Sequence, residues 1–311
     1  MRWSHIKTLF ILSFLVLNGY LLYQFISKQD EMNIPELDTS NMDLDEELRE
    51  ENITISADVD FEVPELSYIS SAQKKFTGSE ISNLNDNKDI KAEKTLDSKL
   101  LIVEFSSPLK IPDNADEETL SSLVSPYILD VSDFSFGAWD DDLNIIVFFQ
   151  NKEGHPIYLN RHAMLTFYVN DNNEITHYTQ TMLGETDTQG SPTLNTPKIA
   201  ISSLLQSRYL NAEDDITDVS YGYYSRIAEA EEGTQVFAPT YKITVDDERD
   251  YFVNAAESST YSGNYKDYLV KMLEDNYLRK LYLMADEDDS LADNLISVIE
   301  NKIEPFRSES E

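Results

Sequence analysis

The sequence predicts an α+β protein: an N-terminal transmembrane helix, an extracytoplasmic domain of two helix-plus-antiparallel-meander subdomains, and a helical C-terminal tail. Three observations predict this. An uncharged apolar run opens the chain. A helix signal followed by strand-length runs and turn residues occurs twice, from near residues 116 and 196. Beyond Ser259 the apolar residues fall at helical spacing.

The first element is Thr8–Ile26, TLFILSFLVLNGYLLYQFI, 19 residues without a charge. As a helix it spans about 28 Å, close to the hydrocarbon thickness of a bilayer. Arg2 and Lys7 precede it while Asp30, Glu31 and Glu36 follow, so the positive-inside rule predicts a cytoplasmic N-terminus. The rival reading is a cleaved signal peptide, whose shorter apolar core ends in small residues; this segment ends Tyr23-Gln24-Phe25-Ile26. Asn18, Gly19 and Gln24 interrupt the span. Amides find no water in lipid and Gly permits close approach, so these three are the candidate face for a partner helix.

Residues 29–62 form an acidic connector, with a short solvated helix predicted at Asn41–Glu51. The first α+β subdomain is assigned to 63–187. It holds a strand at Leu66–Phe76, a helical turn at Ser79–Asn85, and the apolar run Leu100–Phe105. A helix opens at the acids near Asp116 and stops at Pro126. Its meander is Leu143–Gln150, a turn at Asn151–Gly154, Pro156–Leu159, Ala163–Asn170, a turn at Asp171–Asn173, then Glu174–Leu183. Gly184–Asn195 reads as a linker. The second subdomain, 188–259, starts with a helix capped by Thr196 with Pro197 at its first position. Ala200, Ile201, Leu204, Leu205 and Tyr209 recur at the spacing of its buried face. Strands at Ile216–Ile227, Val236–Val245 and Tyr251–Ala256 follow. Residues 260–311 form an acidic helical extension with two amphipathic helices, to be packed on the body or on a partner.

Charge narrows the function. The chain carries 24 Lys and Arg against 58 Asp and Glu, a net charge of −34. Such a field repels nucleic acid at long range, so nucleic-acid binding is set aside. Cysteine is absent, which removes thiol nucleophiles, disulfides and Cys-based zinc sites. An exported domain without disulfides suits a Gram-positive surface.

Chemistry-bearing motifs are missing. The histidines His5, His155, His162 and His177 follow no metal-ligand spacing. Acid runs at Asp140–Asp142, Asp246–Glu248 and Asp286–Asp289 lack the alternation and central Gly of a calcium loop and read as solvated turns. Nucleophile elbows, Walker loops and dinucleotide fingerprints are absent. A glycosidase-type carboxylate pair stays as a rival enzyme reading, resting only on the abundance of acids. The expectation is a non-enzyme with no metal, cofactor or small-molecule substrate.

Three segments in order resemble a known family: MRWSHIKTLFILSFLVLNGYLLYQF, AMLTFYVNDNNEITHYTQTML and VFAPTYKITVDDERDYFVNAAES. Together they resemble YycI (WalI) of the YycH/YycI regulatory proteins of Gram-positive bacteria, over most of residues 1–258. The resemblance implies an α+β fold and a membrane-anchored auxiliary of the cell-wall two-component system. It also implies a YycH-like partner and contact with the sensor histidine kinase YycG (WalK), much of it through transmembrane helices. YFVNAA also resembles the final strand of PepSY-type modules, which makes Tyr251, Phe252 and Asn254 structural residues. The alternative function is a PepSY-like module that holds a peptide or restrains a secreted peptidase; an exposed edge strand near Tyr251–Ala256 or an apolar groove between subdomains would favour it. Residues 260–311 run past the resemblance.

Overall fold

The computed structural model describes residues 7, 10, 12–20, 44–225, 233–285 and 290–309. Two compact units divide the chain, 1–52 and 53–311. In the first, residues 12–20 are helical, and the acidic connector forms a helix α1 at Leu44–Glu50. Among the described residues no helix is long and apolar enough to cross a membrane. Of the predicted span, residues 10 and 12–20 are described, all helical, and the rest lies outside the described residues.

The second unit is built on two seven-stranded sheets. The first contains β3 (Ile90–Lys94), β4 (Leu101–Lys110), β5 (Phe134–Asp140), β6 (Ile145–Lys152), β7 (His155–Pro156), β8 (Met164–Val169) and β9 (Glu174–Gln180). Their order is β3-β4-β9-β8-β6-β5 with β7 on β6, antiparallel throughout. The β6–β7 hairpin turns through Glu153 and Gly154, both at positive φ, the conformation a two-residue hairpin loop demands. Helices α2 (Gly78–Asn85) and α3 (Glu117–Val124) belong to this half. Thr77 caps α2 in a reciprocal box with Glu80, and Asp116 caps α3.

The central strands β6 and β8 are apolar without alternation, and the packing explains why. Successive strand side chains point to opposite faces. In β6, Ile146 and Phe148 join the core that holds Leu84 of α2 and Leu120 and Val124 of α3. Ile145, Val147 and Phe149 point the other way, as do Met164 and Tyr168 of β8. There they meet the C-terminal helices: α5 (Tyr265–Met272), a π-helical turn at Leu273–Leu278, α6 (Arg279–Ala285) and α7 (Ser290–Ile303). Leu269, Leu273, Tyr277, Leu281, Leu295 and Ile299 are all fully buried against that face. Residues 260–311 are thus the second cover of the sheet. Lys302 of α7 pins it: its Nζ donates to the carbonyls of Leu143, Asn144 and Val169 at 3.0, 3.1 and 2.6 Å. Burial lowers this lysine to about 8, and three carbonyl acceptors favour the ammonium form.

The second sheet runs β1 (Thr54–Ile55), β11 (Asp215–Tyr224), β12 (Thr234–Val245), β13 (Arg249–Asn254), β14 (Thr260–Gly263). Helix α4 (Pro197–Gln206), capped by Thr196 with Pro197 in its first turn, packs on β12. The sheet also takes strands from across the predicted subdomain boundary. β2 (Tyr68–Gln73) pairs with Thr234–Phe237 of β12, and β10 (Leu183–Gln189) pairs with β2. Gly184–Asn195, expected as a linker, therefore begins as a strand. Its polar residues hide the pattern, and backbone pairing with β2 plus the Ser71 hydroxyl on the Glu185 carbonyl hold it. Predicted strand Ile216–Ile227 ends at Tyr224 among the described residues, and residues 226–232 lie outside them.

The sheets meet at residues 155–158. Ile157 bridges to Tyr223 in parallel, the Tyr158 N–H donates to the Tyr223 carbonyl at 2.8 Å, and Gly222 lies beneath. A β-carbon at Gly222 would clash with the Pro156 carbonyl oxygen and stand 2.8 Å from Tyr158 Cε2. Glycine is what lets the strands cross.

Candidate interaction surfaces

Two groups of residues were singled out by sequence, and they occupy different settings. Asn18 and Gly19 sit on the described helical segment 12–20, where every residue is exposed. A helix places Phe14 and Leu15 on the Asn18 face, and Leu15 and Val16 on the Gly19 face. These apolar side chains are open, with Phe14 57%, Leu15 67% and Val16 64% exposed. A β-carbon at Gly19 would meet nothing within 4 Å. The segment therefore presents a surface with a small-residue notch and an amide beside it, outward-facing on all sides. Gln24 lies outside the described residues.

Tyr251, Phe252 and Asn254 lie on β13, an interior strand with β12 on one side and β14 on the other. The strand is therefore not the exposed edge that would favour a peptide-holding module; β14 takes that place, because Thr260–Gly263 folds back onto it. The Tyr251 hydroxyl donates to the Tyr209 carbonyl at 3.1 Å. Phe252 is fully buried, its ring 5.1 Å from that of Tyr158 and stacked at 5.8 Å on Tyr224. Asn254 Oδ1 accepts the N–H groups of Ala256 and Glu257, each at 2.9 Å, and so shapes the turn into β14. All three side chains are engaged in packing or turn formation.

The acid runs are also occupied by structure. Asp246 and Asp247 take positive φ in the β12–β13 turn, a conformation Asp tolerates. Asp246 Oδ2 and Asp214 Oδ1 receive Arg249 at 2.6 and 2.8 Å. Asp140 Oδ1 accepts the Leu143 N–H, and Asp142 pairs with Lys266. Asp286–Asp289 lie outside the described residues. His155 packs against the Tyr221 ring at 5.1 Å, and His177 Nε2 is 3.8 Å from Glu104. His162 is buried beside Asn160 and Arg161. His5 lies outside the described residues. Among the described residues no three His, Cys, Asp or Glu side chains gather as a metal site.

Sequence reasoning passed over one concave site, at the seam of β2, the β3–β4 turn, the π-helical turn and α6. It is a cavity of about 470 Å³ that includes Lys75, Lys99, Arg279 and Lys280. These residues come from segments far apart in sequence, and only the fold brings them together.

Comparison with known proteins gives the chain its relatives. No curated protein matches it. A crystal structure of an uncharacterized protein from Eubacterium rectale ATCC 33656 aligns with 68% of this chain and 90% of that one, at 11% identity and a TM-score of 0.40. The model of the YycI protein family matches residues 31–256, most of the chain, so the chain belongs to the YycI family, a family of regulatory proteins and not a known enzyme family.

Proposed function

We propose that the protein is a non-catalytic regulator of the cell-wall sensor histidine kinase YycG (WalK), held in the cell membrane by a single N-terminal helix. On this reading the N-terminus is cytoplasmic and residues 53–311 lie outside the cell, where they act with a YycH-like partner. Family membership over residues 31–256 carries the proposal, through its tie to the YycFG two-component system. The uncharged run Thr8–Ile26 and the outward apolar side chains of residues 12–20 support the membrane anchor.

The physics is that of a biased equilibrium. A kinase with two signalling states responds to a partner only when that partner binds one state better. A difference of about 1.4 kcal/mol moves the ratio tenfold, within reach of a few helix–helix contacts. Asn18 and Gly19 are adjacent on the exposed helix, whereas Gln24 follows five and six residues later, about 120–140° around a regular helix. The two groups are therefore tested separately. Asn18→Leu with Gly19→Leu is expected to weaken co-purification of the full-length protein with the kinase and to change kinase autophosphorylation. Gln24→Leu alone reports a second face. Unchanged association and unchanged kinase output in both variants would overturn the helix-face assignment.

A further inference from the structure

Among the described residues, the edges of the two sheets are mostly blunted. β1 has two residues and β14 four. β3 carries Lys91, Glu93 and Lys94 in five residues. β10 carries Glu185 and Asp187, and Lys152 already occupies its Gly184 carbonyl at 2.6 Å. β11 is met by β1 at one end and by Ile157 at the other. Short strands and charges are the usual protection of an open edge. β5 lacks both. It runs seven residues, reads FSFGAWD, and ends the first sheet with β6 as its one paired strand.

β5 presents a row of aromatic rings. Phe134, Phe136 and Trp139 are half-buried and pack on the core that holds Leu120 and Val124 of α3. Phe136 and Trp139 are three positions apart, so an unbroken strand would turn them to opposite faces. A bulge at Gly137 adds the residue that returns Trp139 to the face of Phe136. Glycine is needed there, because a β-carbon would stand 2.7 Å from the Phe149 ring. Three rings therefore lie along one side of an open backbone edge.

Charge selects the occupant. Asp130 and Asp133 precede the strand, Asp140 ends it, and Asp141 and Asp142 follow. Asp130 and Asp142 are paired with Lys74 and Lys266, and Asp140 Oδ1 accepts the Leu143 N–H. Lys152, the cation that Asp133 attracts, donates to the Gly184 carbonyl instead. Asp133 and the exposed Asp141 thus carry the charge at the two ends. A second copy of β5 would set Asp133 against Asp141 in antiparallel pairing, and each against its own copy in parallel pairing. Like charges opposite one another destabilise a ladder. A strand with a cation at each end meets them favourably.

We propose that β5 is a docking edge for an extended segment of another protein, apolar at alternate positions and flanked at both ends by Lys or Arg. The segment adds a strand to the first sheet: its backbone supplies affinity, and its alternate side chains lie beside Phe134, Phe136 and Trp139. The proposal goes beyond the regulatory reading and stands without it.

The test uses the full-length Trp3→Phe protein in detergent micelles, which leaves Trp139 as the only tryptophan and a reporter on the edge itself. Salt is held at about 150 mM to screen long-range attraction. The probes are N-acetyl-Lys-Lys-Val-Thr-Val-Thr-Val-Lys-Lys-amide, the same peptide N-methylated at its five central amides, and a version with Glu in place of each Lys. The first is expected to shift Trp139 emission saturably, with a Kd of about 100 μM or tighter. The N-methylated peptide keeps the charge but cannot donate to a strand edge, and is expected to bind at least about tenfold more weakly. The Glu peptide is expected not to bind. Asp133→Asn with Asp141→Asn should weaken the first peptide about three- to tenfold. Asp58→Asn with Asp171→Asn, an equal loss of charge at exposed positions elsewhere, should leave it unchanged. No saturable shift, equal binding of the N-methylated or Glu peptide, or an equal effect of the two double variants would overturn the proposal. A Trp139 shift that grows with protein concentration alone would make a second copy the occupant, and would overturn it too. Each of those results leaves kinase association, and so the regulatory reading, untouched.

Discussion

Leu295→Ala offers the sharpest test of the C-terminal layer. Leu295 is fully buried in α7, in the cluster that covers Ile145, Val147, Phe149 and Met164 of the first sheet. The truncation removes three carbons from a close-packed site and leaves a cavity that neighbours on a rigid sheet refill poorly. Such changes cost about 2–5 kcal/mol, and the middle of that range, about 3 kcal/mol, fits a fully enclosed site. For a body of this size 1 kcal/mol shifts Tm by about 2–4 °C, so a fall of about 6–12 °C is expected. The assay is urea and thermal unfolding of the full-length protein in detergent, followed by circular dichroism. Ser297→Ala, exposed on the same helix with its hydroxyl on the Asp293 carbonyl at 3.1 Å, is the control, expected within about 0.5 kcal/mol of wild type. If Leu295→Ala matches Ser297→Ala in midpoint and slope, α7 does not cover the sheet in solution and the layer assignment fails.

Two other perturbations follow from the same structure. Gly222→Ala forces a methyl onto the Pro156 backbone carbonyl and the Tyr158 ring where the sheets cross. A loss of about 1–3 kcal/mol is expected in urea unfolding, against little change for Gly78→Ala, whose added carbon meets nothing within 4 Å; an unperturbed Gly222→Ala would contradict the crossing. Burial and the neighbouring cations hold the folded pKa of His162 near 3, below the ordinary value of 6.5. Below pH 6.5 the unfolded chain therefore binds the proton first, so stability falls as pH drops from about 6.5 towards 3, by at most about 1.4 kcal/mol per pH unit, and does not change on this account above 6.5. His162→Gln should flatten that acid limb; an NMR titration showing His162 charged at pH 6 would refute the burial argument.

Much of this fold was legible in the sequence, and the parts that were not have physical reasons. The meander Leu143–Leu183 shows strand-length apolar runs separated by turn residues, the capped helix at Thr196-Pro197 and the helical tail carry helical spacing, and the structure forms strands and helices there. β10 escaped because its residues beyond Leu183, Gly184 to Gln189, show no apolar alternation; only pairing with β2, more than a hundred residues earlier, makes it a strand. The role of residues 260–311 was written in the wrong place to be noticed. LNIIVFFQ and AMLTFYVN are apolar on both faces, and an antiparallel strand with no polar face demands two covers. α2 and α3 supply only one, so the second had to come from elsewhere in the chain. The cationic cavity had no sequence signal, since Gln73, Lys99, His162 and Arg279 converge only after both sheets and the tail are assembled.

The measurement closest to the central claim is a pull-down of the full-length tagged protein from its native membrane in mild detergent, with bound proteins identified by mass spectrometry. The account predicts recovery of a YycH homologue and the sensor histidine kinase together, and their loss when Asn18 and Gly19 are both replaced by Leu. Recovery of a secreted peptidase or wall enzyme instead, with neither regulatory partner present, would contradict it.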